Sequence, residues 1–312
     1  MPDKNKSAAI KTIINTLFIV SALFMMAYYL HSNWAVLKDY QWQFNIKLAL
    51  LSICLLWIAT SGSVYIIAHI SRKLTGVNIK YFQMYRIISI TSIGRYLPGK
   101  IWNILGFYYY ISEYGIDKKK ATLTIAASEV AGKGGALTLG LCYFLFSSKF
   151  QDYLPLMIIL LIGCLAMMHP RILDLVINFG LRIIKKQSIE INFTYSNVLV
   201  FFLMYIVVWL LHSLAFYTLV SSIISLESIS FIHFSTILPL CWVVGYIALF
   251  APGGIGVREG MLVLTLSEFL APEIALTIAI IQRIWFIIVE GISFLTAYMI
   301  KSDAGKNTTN GK

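Results

Sequence analysis

The chain has 312 residues, of which 59% are hydrophobic and only 12% charged. A soluble domain carries roughly 25% charged residues, so the composition excludes one and describes an all-α polytopic membrane protein. Lys and Arg outnumber Asp and Glu by 25 to 14, and most of the cations lie between apolar runs. That placement fits cytoplasmic loops facing anionic headgroups and leaves no long basic tract to hold a nucleic acid.

Crossing a bilayer takes about 20 apolar residues. The basic N-terminus MPDKNKSAAIK leads into the apolar run Ile10–Leu30 without a clear small-residue cleavage site. It reads as a retained first helix with a cytoplasmic N-terminus. Further crossings are expected at Ile46–Ile70, Ala121–Phe146, Tyr153–His169, Val198–Ile224, Phe231–Phe250 and Ile274–Ile300. Gln83–Tyr110, interrupted at Pro98-Gly99, and Ile255–Leu270, which follows Pro252-Gly253-Gly254, are too short or too broken to cross alone. Both read as re-entrant or half-helices. Arg171–Lys186 alternates apolar and basic residues and is expected to lie along the interface. The whole of 1–312 reads as a single integral membrane domain with a short polar tail at 303–312.

Seven crossings with the basic connections inside leave the C-terminus outside, although it carries Lys301, Lys306 and Lys312. An inside C-terminus requires eight. The sequence thus points to a miscount of one, at Ile255–Leu270 or at the Pro98 hairpin.

The two breaks have a common chemistry. Proline removes a backbone donor, and Gly99, Gly253, Gly254 and Gly256 permit angles that other residues resist. Broken backbone at membrane depth persists only where protein or trapped water satisfies it, and transporters build sites at such places. An offset of 154 carries Pro98-Gly99 onto Pro252-Gly253, Ala121 onto Ala275 and Glu129 onto Arg283. Residues 83–146 and 237–300 therefore read as repeat units, inverted or parallel according to the crossing count; chance resemblance is the alternative.

Charges inside the spans cost about 2.5–3.5 kcal/mol each on insertion scales. Glu129 and Lys133 are four apart and share a helix face, as do Arg283 and Glu290, seven apart. Arg95, Lys100, Arg258 and Glu259 flank the breaks. Either these groups neutralise one another and lock helices together, or they line a polar cavity with the cations toward a phosphate and half-helix N-termini adding donors. Trp102, Trp242 and Trp285 near them read as interfacial or packing residues. The four cysteines sit in apolar runs without a CxxC pair, and the histidines lack metal-ligand spacing. No nucleotide-binding, hydrolase or glycosyltransferase motif is present, so no metal and no cofactor is expected.

Three segments, SIGRYLPGKIW (Ser92–Trp102), SEVAGKGG (Ser128–Gly135) and APGGIGVREG (Ala251–Gly260), together resemble the membrane domain of the lysylphosphatidylglycerol synthase/flippase family. The PGG-x-G-x-RE element is its most specific mark. The resemblance implies a multi-helix domain of a bacterial inner membrane that moves aminoacylated phosphatidylglycerol, or an analogous lipid, between leaflets. Arg95, Pro98, Gly99 and Lys100 match its first motif, Glu129 its second, and Pro252, Gly253, Gly254, Gly256, Arg258 and Glu259 its third. Bifunctional members continue into a cytosolic aminoacyl transferase domain, whereas this sequence ends at Lys312, so translocation without lipid aminoacylation is expected. The substrate-binding set is then Arg95, Lys100, Glu129, Lys133, Arg258, Glu259 and Arg283, with membrane lipids as partners. A polyprenyl-phosphate-linked sugar fits a basic pocket equally well. Two other classes stay open: an accessory subunit docking a cell-envelope biosynthesis enzyme, and a membrane enzyme acting on a lipid-linked substrate.

Overall fold

The computed structural model describes residues 21, 24–96, 102–147, 152–166, 169, 171–172, 174–175, 178–179, 194–226, 229–248, 251 and 254–303. Every regular element among them is helical: α1 (Trp34–Asp39), α2 (Ile46–Thr75), α3 (Tyr81–Ser92) with a 3-10 turn (Ile93–Tyr96), α4 (Trp102–Ser112), α5 (Lys118–Phe146), α6 (Leu154–Ala166), α7 (Tyr195–Ser221), α8 (Phe231–Ile247), α9 (Val257–Leu266) and α10 (Pro272–Met299). Three of these, α2, α7 and α10, are long and apolar enough to cross a membrane. The chain is a multi-pass membrane protein. Most of Ile10–Leu30 and of Arg171–Lys186 lies outside the described residues, as do Pro98, Gly99, Lys100, Pro252 and Gly253.

Local chemistry sets the helix ends. Asn45 accepts from the amides of Lys47 and Leu48 to start α2, and left-handed Gly76 ends it. Asp117 accepts from the Lys120 amide at the start of α5, Thr194 caps α7, and Pro272 opens α10.

Side-chain ties at the two ends of the bundle fix which way each helix runs. Tyr114 donates to Gln83 at 3.1 Å and to Asp303 at 2.9 Å, while the Gln83 amide donates to the Lys301 carbonyl at 3.0 Å. One face therefore collects the start of α3, the end of α4 and the end of α10. Burial and the Asp303 carboxylate push the Tyr114 phenol up to about 12, so it stays a donor at neutral pH. At the opposite face, Ser147 and Tyr143 donate to the Glu268 carboxylate, and the His233 and Phe269 rings meet with centroids 4.7 Å apart. These contacts gather the end of α5, the start of α8 and the end of α9. The amides of Gln43 and Asn45 donate to the carbonyls of Ile223 and Ser222, tying the start of α2 to the end of α7.

Two hairpins follow from these ties. The α3–α4 pair enters and returns at the first face, and the α8–α9 pair does the same at the second. The expected crossing at Phe231–Phe250 is accordingly one arm of a hairpin: α8 ends at Ile247 and the chain turns back through α9.

The offset of 154 carries 102–112 onto 256–266 and 118–146 onto 272–300, within one residue of the bounds of α9 and α10. It also carries Tyr114 onto Glu268 and Ser147 onto Lys301, so the ties at the two faces occupy corresponding positions. Packing is reciprocal as well, with α3 against α10 and α8 against α5. The central pair α2–α7 runs antiparallel between them. Glycines let the helices close up on α5. A Cβ on Gly132 would sit 3.2 Å from the Tyr205 ring, and one on Gly140 would sit 2.8 Å from the Leu240 Cα.

Backbone cannot swing aside as a side-chain tip can. Gly140→Ala is therefore expected to prise α8 from α5 at a cost of about 1–3 kcal/mol, read as a lower midpoint of thermal unfolding in detergent. Gly163→Ala on α6, where a Cβ meets nothing within 4 Å, should leave the midpoint in place.

Candidate functional site

A cavity of about 230 Å³ opens among α2, α3, α5, α7 and α10. Its lining comes from 60–67 on α2, 128–133 on α5 and 286–293 on α10, the portions of these helices nearer the first face. The opposite half is filled by an apolar core that includes Phe216, Phe234, Ile237, Leu238 and Leu262. The bundle thus holds a cavity with several polar groups near its middle, beside an apolar core.

Five helices offer the cavity polar groups: Thr60 and Ser63, then Tyr85, Ser89 and Ser92, each three or four residues apart, as are Glu290 and Ser293, with the adjacent Ser128 and Glu129, and Tyr205 and His212 two turns apart. Lys133 stands 3.6 Å from Glu129 and its ammonium lies 4.7 Å from the centre of the Tyr246 ring. Ser128 and Tyr205 share a 2.6 Å hydrogen bond across α5 and α7. The Trp209 indole donates to the Gly132 carbonyl at 2.9 Å, and His212 donates from Nδ1 to the Val208 carbonyl at 2.8 Å. The Glu129 side chain remains 46% exposed, so its carboxylate is open to whatever fills the hollow.

Trp209, Trp242 and Phe286 line the end of the cavity toward the second hairpin, with the two tryptophan rings 6.0 Å apart and Trp242 5.0 Å from Phe286. Behind them lies Arg258, only 4% exposed, its guanidinium carbon 3.6 Å from the Trp242 ring centre and 5.4 Å from that of Phe286. Its Nε and Nη2 have no hydrogen-bond partner.

The neighbouring Glu259 is engaged locally. One carboxylate oxygen accepts from the Gly256 amide at 2.8 Å, closing the N-terminus of α9. The other takes Arg283 at 3.4 Å. Gly256 holds φ at +84°, a conformation that favours glycine. A Cβ on Gly254, at +70°, would lie 2.9 Å from the Gly245 carbonyl oxygen.

Of the residues singled out in the sequence, Glu129 and Lys133 meet in the cavity, and Arg258 lies behind its aromatic end. Glu259 and Arg283 pair with each other within the second hairpin and α10. Arg95 falls in the 3-10 turn, its side chain outside the described residues, as is the whole of Lys100. The cavity hydroxyls and a cavity-lining part for His212 are not expected from the sequence. Their signal was a recurrence at helical spacing inside otherwise apolar helices.

Fold and site define a multi-pass α-helical membrane protein with a partly open cavity among its helices, lined by apolar and polar groups together. A family model described as the lysylphosphatidylglycerol synthase TM region matches residues 12–291. The chain belongs to that family and has the membrane-lipid-related role that membership carries. Comparison with curated proteins finds no match, and comparison with solved structures finds none.

The two carboxylates should respond differently to neutralisation. Glu259→Gln leaves Arg283 without its partner beside the buried Arg258, so stability in detergent is expected to fall by about 3 kcal/mol. Glu129→Gln, at a half-exposed pair, should change it by no more than about 1 kcal/mol. Thermal or denaturant unfolding of both variants checks the contrast.

Proposed function

We propose that the protein is a lipid translocase that moves an anionic or aminoacylated phospholipid, or a polyprenyl-phosphate-linked lipid, between the leaflets of a bacterial cytoplasmic membrane. The observation that carries this reading is the cavity among long apolar helices that holds Glu129 and Lys133 together with several hydroxyls. A headgroup enters it while the acyl tails stay in lipid. Lys133 holds the phosphate, and Glu129 orients the lysine or meets a cationic headgroup. Arg95 and Lys100, in the connection between α3 and α4, are proposed to join them. Glu259 and Arg283 are proposed to keep the second hairpin in place.

In this reading the units 83–146 and 237–300 are an inverted repeat. Three observations support it: the matching helix bounds, the reciprocal packing of each hairpin on the other unit's long helix, and the openings of the two hairpins at opposite faces. Inverted repeats with broken helices meeting near the midplane are a common transporter plan. The first face carries Arg72, Lys73, Lys80, Lys118, Lys119, Lys120 and Lys301, which supports a cytoplasmic placement for it. Six crossings result, by the N-terminal segment, α2, α5, the α6 segment, α7 and α10, with both termini inside. With no nucleotide motif in the sequence, the motion is driven by ion coupling or a lipid gradient, or it is passive.

Reconstituted protein is expected to move fluorescent phosphatidylglycerol across liposome membranes, detected by dithionite quenching, faster than protein-free vesicles do. Lys133→Gln and Glu129→Gln should each slow the movement at least tenfold. Wild-type inactivity toward phospholipids and polyprenyl phosphates alike would contradict the reading and favour an accessory role beside a cell-envelope enzyme.

A further inference from the structure

Three nitrogens at the end of the cavity stand out as unsatisfied: Nε and Nη2 of Arg258 and Nε1 of Trp242, all shielded from solvent and all without a partner. Buried donors are nearly always paired in native proteins, and each exception calls for a ligand, a water or a strain. Here the exceptions are adjacent, because the Arg258 guanidinium lies against the Trp242 ring. Nε and Nη2 form one edge of the guanidinium, the edge whose two parallel N–H bonds match two oxygens of a phosphate or carboxylate. The carboxylate next in sequence does not use that edge, since Glu259 is spent on Gly256 and Arg283. The cation is instead held over the faces of Trp242 and Phe286, an attraction that grows with desolvation but leaves the donors idle. Both rings also line the cavity.

We propose that Trp242 is a gate over an oxyanion site: a phosphate-bearing group in the cavity displaces the indole from Arg258, takes the Nε–Nη2 edge and accepts from the released indole N–H. Arg258 is the binding group and Trp242 the positioning one. The phosphate comes from a lipid headgroup or from a soluble phosphate, and the chemistry is the same for both. Because such a site deepens the translocase reading and rests on it, its test reads binding instead of movement, so the two fail separately.

The full chain, labelled with 5-fluorotryptophan and held in a phosphate-free maltoside detergent, gives a 19F resonance for Trp242 that is assigned by its loss in W242F. Adding phosphatidylglycerol is expected to shift that resonance saturably, while diacylglycerol with the same tails does not. Inorganic phosphate producing the same shift would support the site and name a soluble oxyanion as its ligand. R258Q should abolish the response and weaken phosphatidylglycerol binding at least tenfold. R258K, which keeps the charge but loses the fork, should weaken it nearly as much, and it carries the test if R258Q does not fold. A Trp242 resonance indifferent to both phosphate probes, or a response undiminished in the folded arginine variant, would overturn the proposal.

Discussion

Hydrocarbon offers no partner to an unpaired amide, and this constraint organises the whole chain. A helix that stops partway must find protein around its end. Each interrupted pair is accordingly laid against a long helix from the other half of the sequence, α3 against α10 and α8 against α5. Small residues make the second of these contacts tight, as Gly140 shows against Leu240. At the broken end of α9 the requirement is met internally, by the Glu259 carboxylate on the Gly256 amide. The same residue then holds Arg283, so one side chain closes a helix end and fastens the hairpin to α10.

The charges divide along this line. Glu259 and Arg283 lie within protein and engage each other, in keeping with a structural part. Glu129 and Lys133 face a hollow, and the carboxylate stays substantially exposed. Arg258 belongs to neither group, being buried against aromatic rings with its best hydrogen-bonding edge unused. A buried cation in that condition is expensive at membrane depth, and its persistence in an otherwise well-packed region is what directs attention to a ligand.

Much of this was legible in the sequence because its signals were local. Apolar runs mark the long helices α2, α7 and α10, and the Pro-Gly breaks fall between the paired short helices. What the sequence concealed depended on partners distant in the chain. Phe231–Ile247 is as apolar as a crossing helix, and only the meeting of His233 with Phe269 reveals it as half of a hairpin. The contacts of Glu259 with the Gly256 amide and with Arg283 are of the same kind, since a carboxylate beside an arginine in sequence fits a site and a helix cap equally well. The cavity's hydroxyls escaped because single serines in apolar helices are common, and their convergence from several helices is visible only in three dimensions.

The two hairpins open at opposite faces of the bundle, with the cavity between them. Side-specific labelling of single cysteines, placed at Glu113 and at Ala271 in an otherwise cysteine-free chain, measures it directly, because both positions are exposed connections at hairpin ends. An impermeant maleimide is expected to reach Glu113→Cys only from the cytoplasmic side and Ala271→Cys only from the outer side. Labelling of both from the same side would contradict it.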